Sequence, residues 1–329
     1  MLRRQFAHNA HLDGLDAARV LGAVCFGAAT ERSPRDPRVG LAIPLDLLEH
    51  ERACVDVWLS AAPARIERIA GVDIATDGEL LFGCVLTDER AAGGLRAAAR
   101  QAYAAIFGAL DGTQCIHPLR FWNYVPRINQ PLDGLERYRH FNVGRQEAFL
   151  AARRAAFAGA PAASAIGTEA DQLAIYFLAA KEAPISIENP RQISAYHYPS
   201  EYGPRSPTFS RATLARNGGP TLFISGTASI VGHRSVHPGD PTAQTAETFV
   251  NLRTLVQSAN TKLARSALEL EHLVYTVYVR HAADLALIRR QFMVEVGEHS
   301  AAALNATFLR GDICRAELLV EIEAIGTAP

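Results

Sequence analysis

The chain has 329 residues, of which 49% are hydrophobic and 20% are charged, as expected for a globular protein with a well-buried core. Its 33 basic and 34 acidic residues leave a net charge of -1, so charge gives no reason to expect a nucleic-acid partner or a membrane surface. No stretch reaches the roughly 18 to 20 continuous apolar residues that span a bilayer. The composition therefore favours a cytoplasmic protein that binds a small molecule.

Motifs for common cofactors are missing from the sequence. The five cysteines contain no C-x-x-C pair, and their odd number argues against a disulfide framework. There is no G-x-G-x-x-G and no G-x-x-x-x-G-K-[ST], so nucleotide binding has no support. His233 and His237 have H-x-x-x-H spacing, but the Pro and Gly of "HRSVHPGD" disfavour the helix that would bring both rings to one face. We therefore expect neither a cofactor nor a metal.

The first half of the chain begins with short strands and continues with helices. Alternating apolar residues predict the strands, and alanine-rich helical spacing predicts the helices. We predict strands over 19–28, 39–45 and 53–60, a hairpin over 65–88 with its turn at 76–78, a helix over 93–110, a strand over 119–129 and a helix over 133–157.

The second half repeats the order of strands, helix, strand, helix. This recurrence predicts an α+β protein of two related units, each a mixed β-sheet with helices packed on one face. We place the first unit at 1–158 and the second at 159–329. The predicted elements are strands over 161–167, 171–180, 184–189, 208–215 and 221–232, a helix over 242–260, a strand over 269–280, a helix over 282–297 and a last strand over 316–325.

The last predicted strand carries two acids on one face. Successive side chains of a strand point to opposite faces, so Glu321 and Glu323 lie on the same side, with Cα atoms about 6.5 to 7 Å apart. A solvent-facing edge strand would account for this pattern, and so would a carboxylic acid held in a cleft for catalysis. The alternation alone favours the edge strand.

Three stretches are rich in side chains that bind anions or leave room for a ligand. Two of them, 121–149 and 194–212, combine arginines with tyrosines, and the third, 223–240, begins with small residues. Arginine forks bind carboxylates in a two-pronged geometry. However, Lys181 and Lys262 are the only lysines, so arginine is common throughout the chain and its presence at any one position carries little weight.

The same stretches resemble a known family. "SGTASIVGHRSVHPGDPTAQTAETFVNLRTL" and the terminal "LVEIEAIG" resemble the Rid/YjgF fold. More narrowly, "RFWNYVPRIN", "ERYRHFNVGRQEAF", "SAYHYPSEYGPRSPTFSRA" and "FISGTASIVGHRSV" resemble the chorismatases, which are built from Rid-like units. The resemblance runs from about Leu119 to the C-terminus. It implies an enzyme that releases pyruvate from chorismate without a cofactor or a metal.

The resemblance also assigns roles to particular residues. The catalytic acid of the family corresponds to the first glutamate of "VEIE", Glu321, with Glu323 as its structural neighbour. A neutral acid suits protonation of the enol ether, because positive charge develops on the substrate as the proton is transferred. The expected substrate contacts are Arg145 and Arg211 as carboxylate anchors, Arg139 as a further cation, Tyr198 as a hydrogen-bond donor, and Gly226 and Ala228 as a wall against the ring.

Two signals for the product disagree. By the family resemblance, a cysteine before the acid, here Cys314, accompanies hydroxybenzoate formation, whereas Ala228 in "SGTAS" is typical of hydrolytic members that form a dihydroxycyclohexadiene carboxylate. We predict 3-hydroxybenzoate, alone or with 4-hydroxybenzoate, because a thiol near the ring can steer a rearrangement. The alternatives are the hydrolytic product, a Rid-type deaminase, for which the chain is too long, and a non-catalytic carboxylate-binding protein. The expected assembly is a monomer or a homotrimer.

Overall fold

The structure is a computed structural model that describes residues 2–7, 15–27, 39–49, 53–216, 218–264 and 267–328. Residue 28, the end of the first predicted strand, lies outside this part of the chain. Up to residue 180 the strands are β1 Leu2–Ala7, β2 Val20–Phe26, β3 Gly40–Ile43, β4 Ala53–Leu59, β5 Arg65–Ile69, β6 Val72–Thr76, β7 Leu80–Asp88, β8 His117–Pro126, β9 Pro131–Leu132, β10 Leu135–Glu136, β11 Ala162–Thr168 and β12 Gln172–Ala180. The helices are α1 Glu89–Ala92, α2 Leu95–Asp111 and α3 Arg137–Ala151.

The remaining elements follow the predicted order closely. The strands are β13 Ile185–Ile187, β14 Ala212–Ala215, β15 Thr221–Thr227, β16 Ile230–Val231, β17 Arg234–Ser235, β18 Val274–Val279, β19 Thr307–Arg310, β20 Asp312–Ile313 and β21 Val320–Thr327. The helices are α4 Pro241–Leu263, α5 Leu285–Val296 and α6 Ala301–Asn305. Within the described ranges, no helix is both long and apolar enough to cross a membrane.

Three larger sheets organise the molecule. The strand orders are β1-β4-β2-β3, β20-β11-β8-β12-β7-β6-β5 and β13-β14-β15-β21-β18-β19. In the second sheet β8 and β11 are parallel, and in the third β18 and β19 are parallel. Both sheets are therefore mixed, and each contains one helix-connected parallel pair flanked by an antiparallel strand, β12 or β21. The predicted internal repeat is visible in this shared pattern.

The predicted division at residue 158 falls within the second sheet. Strands β11 and β12 follow that residue, yet they pair with β8 and β7 of the first unit. The first four strands form a sheet of their own instead of extending the sheet of that unit. We therefore propose that the first unit continues to the end of β12 and that the second begins at β13.

The two repeated sheets turn their inner faces toward each other and bear helices on their outer faces. Helices α2 and α3 pack on the outer face of the seven-stranded sheet. Helices α4 and α5 pack on that of the six-stranded sheet. The inner faces share a central core with the four-stranded sheet, including Trp58, Trp122, Tyr176 and Phe223. This arrangement confirms the α+β class with helices on one face of mixed sheets.

Strand β8 shows how the sequence specifies this layered arrangement. Phe121 and Val125 point to the helices, whereas Trp122 and Tyr124 point to the central core. Both faces are covered, so the strand is buried from Leu119 onward. A strand that is buried on both sides is usually a continuous run of apolar residues. Arg120 interrupts the run in β8, so its charge needs a buried partner.

Candidate active site

The two acids of β21 point into the protein instead of into solvent. Val320, Ile322 and Ala324 pack against the helices of the second unit. Glu321 and Glu323 therefore lie on the inner face, where their exposed fractions are 3% and 5%. The solvent-facing edge strand favoured by the alternation alone is wrong, because β21 lies between β15 and β18 in the middle of its sheet.

Glu323 is the paired acid of the two. Arg120 on β8 donates from Nη2 to Glu323 Oε2 at 2.6 Å, and the Arg120 side chain is fully buried. The Nε1 of Trp122 donates to Glu323 Oε1 at 3.0 Å, and the Tyr278 hydroxyl donates to the same oxygen at 3.2 Å. One cation and two neutral donors compensate the loss of water around this buried carboxylate. Glu323 is therefore a structural carboxylate that joins the two units.

Glu321 is the acid that faces a cavity. Burial raises the pKa of Glu321 to about 8, and the nearby Glu323 carboxylate adds to the rise. The Cys314 thiol lies 3.9 Å from Glu321 Oε2. Burial also raises the pKa of Cys314, and the Glu321 carboxyl contributes to this shift. At neutral pH the pair is therefore a carboxylic acid beside a neutral thiol, an arrangement suited to proton donation.

Gly226 makes room for the Glu321 carboxyl group. A Cβ at this position would overlap Glu321 Oε1 and would lie 3.2 Å from the Cβ of Ser164. The pairing of β15 with β21 also shifts in register between Ile224 and Thr227. Such an irregularity locally opens a strand pair and is common next to active sites. The glycine of "SGTAS" is thus required by the close approach of the acid.

The cavity has a volume of about 220 Å³ and lies between the two units. Glu321, Cys314 and Gly226 line it together with tyrosines, arginines and apolar side chains. The first unit contributes Glu136, Tyr138 and Arg139, and the second contributes Tyr198, Tyr202, Pro207, Phe209, Arg211, Gly226, Ala228, Ile230, Cys314, Arg315, Ala316, Glu317 and Glu321.

Arg211 and Tyr198 form a coupled pair on the cavity wall. Arg211 Nη2 donates to the Tyr198 hydroxyl at 2.7 Å and to the Ile193 carbonyl at 2.8 Å. Within the described structure, the buried Nε of Arg211 has no hydrogen-bond partner. Arg139 is more open, with about a third of its side chain exposed and its Nε 3.6 Å from Glu136. These three side chains, together with Ala228, line the cavity, and their roles as substrate contacts stay predictions.

Arg145 is the predicted site residue that the structure keeps apart from the cavity lining. It is 2% exposed, and its guanidinium lies 5.0 to 5.6 Å from the ring centroids of Tyr103, Phe121 and Phe149. Burial lowers the pKa of this guanidinium. Helix α3 turns Arg145 toward α2 and β8, because the residue lies on the helix face that packs in the core. Its assignment as a carboxylate anchor stays a prediction.

The sequence assigned no role to several residues that line the cavity or support it. Tyr202, Phe209 and Arg315 line it, and Arg120 holds Glu323 behind it. Arg120 could have been found, because an arginine inside an apolar strand calls for a buried acid. Arg315 directly follows Cys314 and lies in the loop before β21. The conformation of that loop places Arg315 at the cavity, and strand alternation does not predict loop conformation.

Comparisons with known proteins agree with this geometry. The family model described as Chorismatase FkbO/Hyg5-like, N-terminal, matches residues 56–179. A chorismatase of Streptomyces rapamycinicus is 38% identical over 84% of this chain and 83% of its own length. A 3-hydroxybenzoate synthase of Streptomyces hygroscopicus is 35% identical over 82% of this chain and 80% of its own.

A solved structure extends the match to the whole fold. The crystal structure of a chorismatase superposes with a TM-score of 0.89 at 33% identity, covering 99% of this chain and 98% of that one. The chain therefore belongs to the chorismatase family, and the resemblance identified from its sequence is confirmed.

Replacing Glu321 with glutamine should reduce the pH dependence of stability. In the folded protein this carboxyl keeps its proton up to about pH 8, whereas in the unfolded chain it ionises near its ordinary value of 4.5. Between these values only the unfolded state gains the charge, so wild-type stability falls as pH rises, by up to about 1.4 kcal/mol per pH unit, and levels off above the folded pKa. Glutamine does not titrate. The advantage of Glu321→Gln in urea unfolding should therefore grow from about pH 5 to pH 8.

The matched control for this comparison is Glu182→Gln, at an exposed position. It should show no comparable slope against wild type. A constant difference between Glu321→Gln and wild type across the same pH range would mean that Glu321 ionises near its ordinary pKa.

Proposed function

We propose that this chain cleaves the enolpyruvyl ether of chorismate, releasing pyruvate and forming 3-hydroxybenzoate, alone or with 4-hydroxybenzoate. The observation that carries the proposal is a buried Glu321, whose pKa burial raises to about 8, facing a cavity that also contains guanidinium groups. The names of the relatives, chorismatase and 3-hydroxybenzoate synthase, support the same activity.

The cavity suits a dicarboxylate that contains a carbon ring. Arg211, Arg139 and Tyr198 supply cationic and hydroxyl groups for carboxylates. Ala228 and Ile230 supply an apolar surface for the ring. Chorismate has two carboxylates and an unsaturated ring, so it can use both kinds of surface.

The reaction begins with proton transfer from Glu321. The acid protonates the methylene carbon of the enolpyruvyl group, which gives an oxocarbenium-like centre at the ether carbon and leaves a carboxylate. The negative charge formed on Glu321 then faces the positive charge that develops on the substrate. Glu323 accepts from Arg120 and is not among the residues that line this cavity, so it is not placed to give the proton.

The overall reaction needs no second substrate. Hydroxybenzoate and pyruvate together contain the same atoms as chorismate, so cleavage and aromatisation balance without water, an oxidant or a reductant. The hydrolytic alternative adds one water molecule and leaves a dihydroxycyclohexadiene carboxylate. Both routes agree with the absence of cofactor motifs in the sequence.

Cys314 is the residue that we propose steers the product. Its thiol lies 3.9 Å from the acid and lines the cavity, as does Ala228. A neutral thiol at this point is a compact, polarizable group that can contact the ring as the ether bond breaks. The Ala228 methyl group adjusts the fit of the ring. We therefore favour the aromatic product over the diol.

The protein is proposed to act in the cytoplasm as a monomer or a homotrimer. All five cysteines are free in the structure, which suits a reducing compartment. The two repeated units already bring both sides of the cavity together in one chain.

The direct test of the function is incubation of the purified protein with chorismate, followed by chromatography and pyruvate quantification. We expect equimolar pyruvate and hydroxybenzoate. Glu321→Gln should lower kcat by about 10² to 10⁴, the usual contribution of a general acid. Wild-type activity should decline above about pH 8, where Glu321 loses its proton. Tight binding of chorismate without pyruvate release would indicate the binding-protein alternative.

Replacing Cys314 tests the choice of product separately. Cys314→Ala keeps the apolar contacts of the site but removes the thiol, so pyruvate release should persist while hydroxybenzoate gives way to the diol or to a changed isomer ratio. The matched control is Cys115→Ala, at a buried cysteine in the core of the first unit. An unchanged product mixture in Cys314→Ala would remove the thiol from product control.

A further inference from the structure

Arg315 is a cavity cation to which no role has been assigned. It is 9% exposed and lines the cavity beside Cys314. Its guanidinium carbon lies 4.1 Å from the ring centroid of Tyr202 and 5.1 Å from that of Tyr198. Two aromatic rings thus hold the planar group in a fixed orientation.

Only one side of the Arg315 fork is engaged by the protein. Nη1 donates to the His233 carbonyl at 2.8 Å and to the Ser235 hydroxyl at 3.1 Å. Nη2 is buried and has no hydrogen-bond partner among the described residues. An unsatisfied donor on a buried cation costs more than a neutral one, so a partner is expected to complete the group.

Arg280, which lies close by, shows what a purely structural arginine looks like here. It donates to Asp312 and Asn129 and to three backbone carbonyls, including that of Arg315. In the described part of the chain, Arg315 has no carboxylate within 4.0 Å. The nearby Glu317 accepts instead from Ser235 at 2.7 Å. The charge of Arg315 therefore lacks a counter-ion of its own.

We propose that Arg315 binds one carboxylate of the substrate through Nη2 and that Arg211 binds the other. The guanidinium carbons of both arginines lie within 5.5 Å of the Tyr198 ring centroid, so both cations lie beside the same tyrosine. Both also have a buried nitrogen without a hydrogen-bond partner among the described residues, as Arg139 does at Nε. This inference rests on the proposed function, because it needs a dicarboxylate substrate.

Arg139 is less suited than Arg315 to serve as the second anchor. A third of the Arg139 side chain is exposed, and Glu136 lies within 3.6 Å of its Nε. Water and the neighbouring carboxylate both weaken its attraction for an anion. Arg315 lies deeper and is oriented by the two rings, so it loses less freedom when a carboxylate binds.

The test compares steady-state kinetics of Arg315→Gln and Arg310→Gln with chorismate. Arg310 is an exposed arginine that pairs loosely with Asp46, so its substitution controls for loss of one positive charge. We expect Arg315→Gln to raise KM by about 10- to 100-fold with a smaller change in kcat, as for a lost charge-assisted contact. Arg310→Gln should leave KM within about twofold of wild type. Thermal melts verify that both variants are folded.

Two further variants separate binding from structure. Ser235→Ala removes one protein contact of Arg315 without removing the guanidinium, and it should leave KM nearly unchanged. Arg315→Lys keeps the charge but loses the fork, so its KM should fall between those of wild type and Arg315→Gln. If Arg315→Gln does not fold, Arg315→Lys carries the test.

The outcomes distinguish this inference from the proposed function. No pyruvate from the wild type would overturn the function itself. The role of Arg315 alone would be overturned if the wild type releases pyruvate and folded Arg315→Gln has the same KM as Arg310→Gln. If Arg315→Lys replaces Arg315→Gln in the test, its KM is compared in the same way. A KM for Ser235→Ala as high as that of Arg315→Gln would also overturn that role. In that case the loss of the hydrogen bond between Arg315 and Ser235 would explain the effect while the guanidinium is still present.

Discussion

The ion pair between Arg120 and Glu323 decides which glutamate of β21 can act as an acid. Arg120 lies on the first unit and Glu323 on the second, and both are buried where the inner faces of the sheets meet. Arg120, Trp122 and Tyr278 all donate to the Glu323 carboxylate and hold it in place. Glu321, two residues away, is buried and lies near the Glu323 carboxylate. Burial and this neighbouring carboxylate both raise the pKa of Glu321 and so favour its protonated form.

In the described chain only the second of the two repeated units carries a pair of buried acids on this strand. Strand β12 occupies in the first repeat the place that β21 occupies in the second, but Ala174 and Tyr176 point from it into the central core. The first unit instead supplies the pairing arginine and the Tyr138 side of the cavity. The repeat has thus become asymmetric, with one unit carrying the acid and the other fixing its environment.

The sequence predicted the secondary-structure elements and the shared face of Glu321 and Glu323 better than it predicted how the two units pack together. Period-two alternation placed Glu321 and Glu323 on one face, and the strand confirms this. Alternation could not say which face was buried, because that depends on Arg120, about 200 residues earlier. The predicted boundary at residue 158 has the same limit: a loop rich in Ala, Gly and Pro precedes β11, but the pairing of β11 with β8 is a long-range contact that local sequence does not show. Arg145 is buried away from the cavity, whereas Arg315 lines it. The packing of the elements that carry them decides this difference, and local composition does not show it.

Direct observation of the ionisation of Glu321 tests the central claim. With glutamate labelled with ¹³C at the side-chain carboxyl, wild-type NMR spectra recorded across pH should contain one buried resonance that titrates near pH 8 and is missing from Glu321→Gln. A spectrum in which every glutamate carboxyl has titrated below about pH 6 would contradict the account, because Glu321 would then carry no proton to donate at neutral pH.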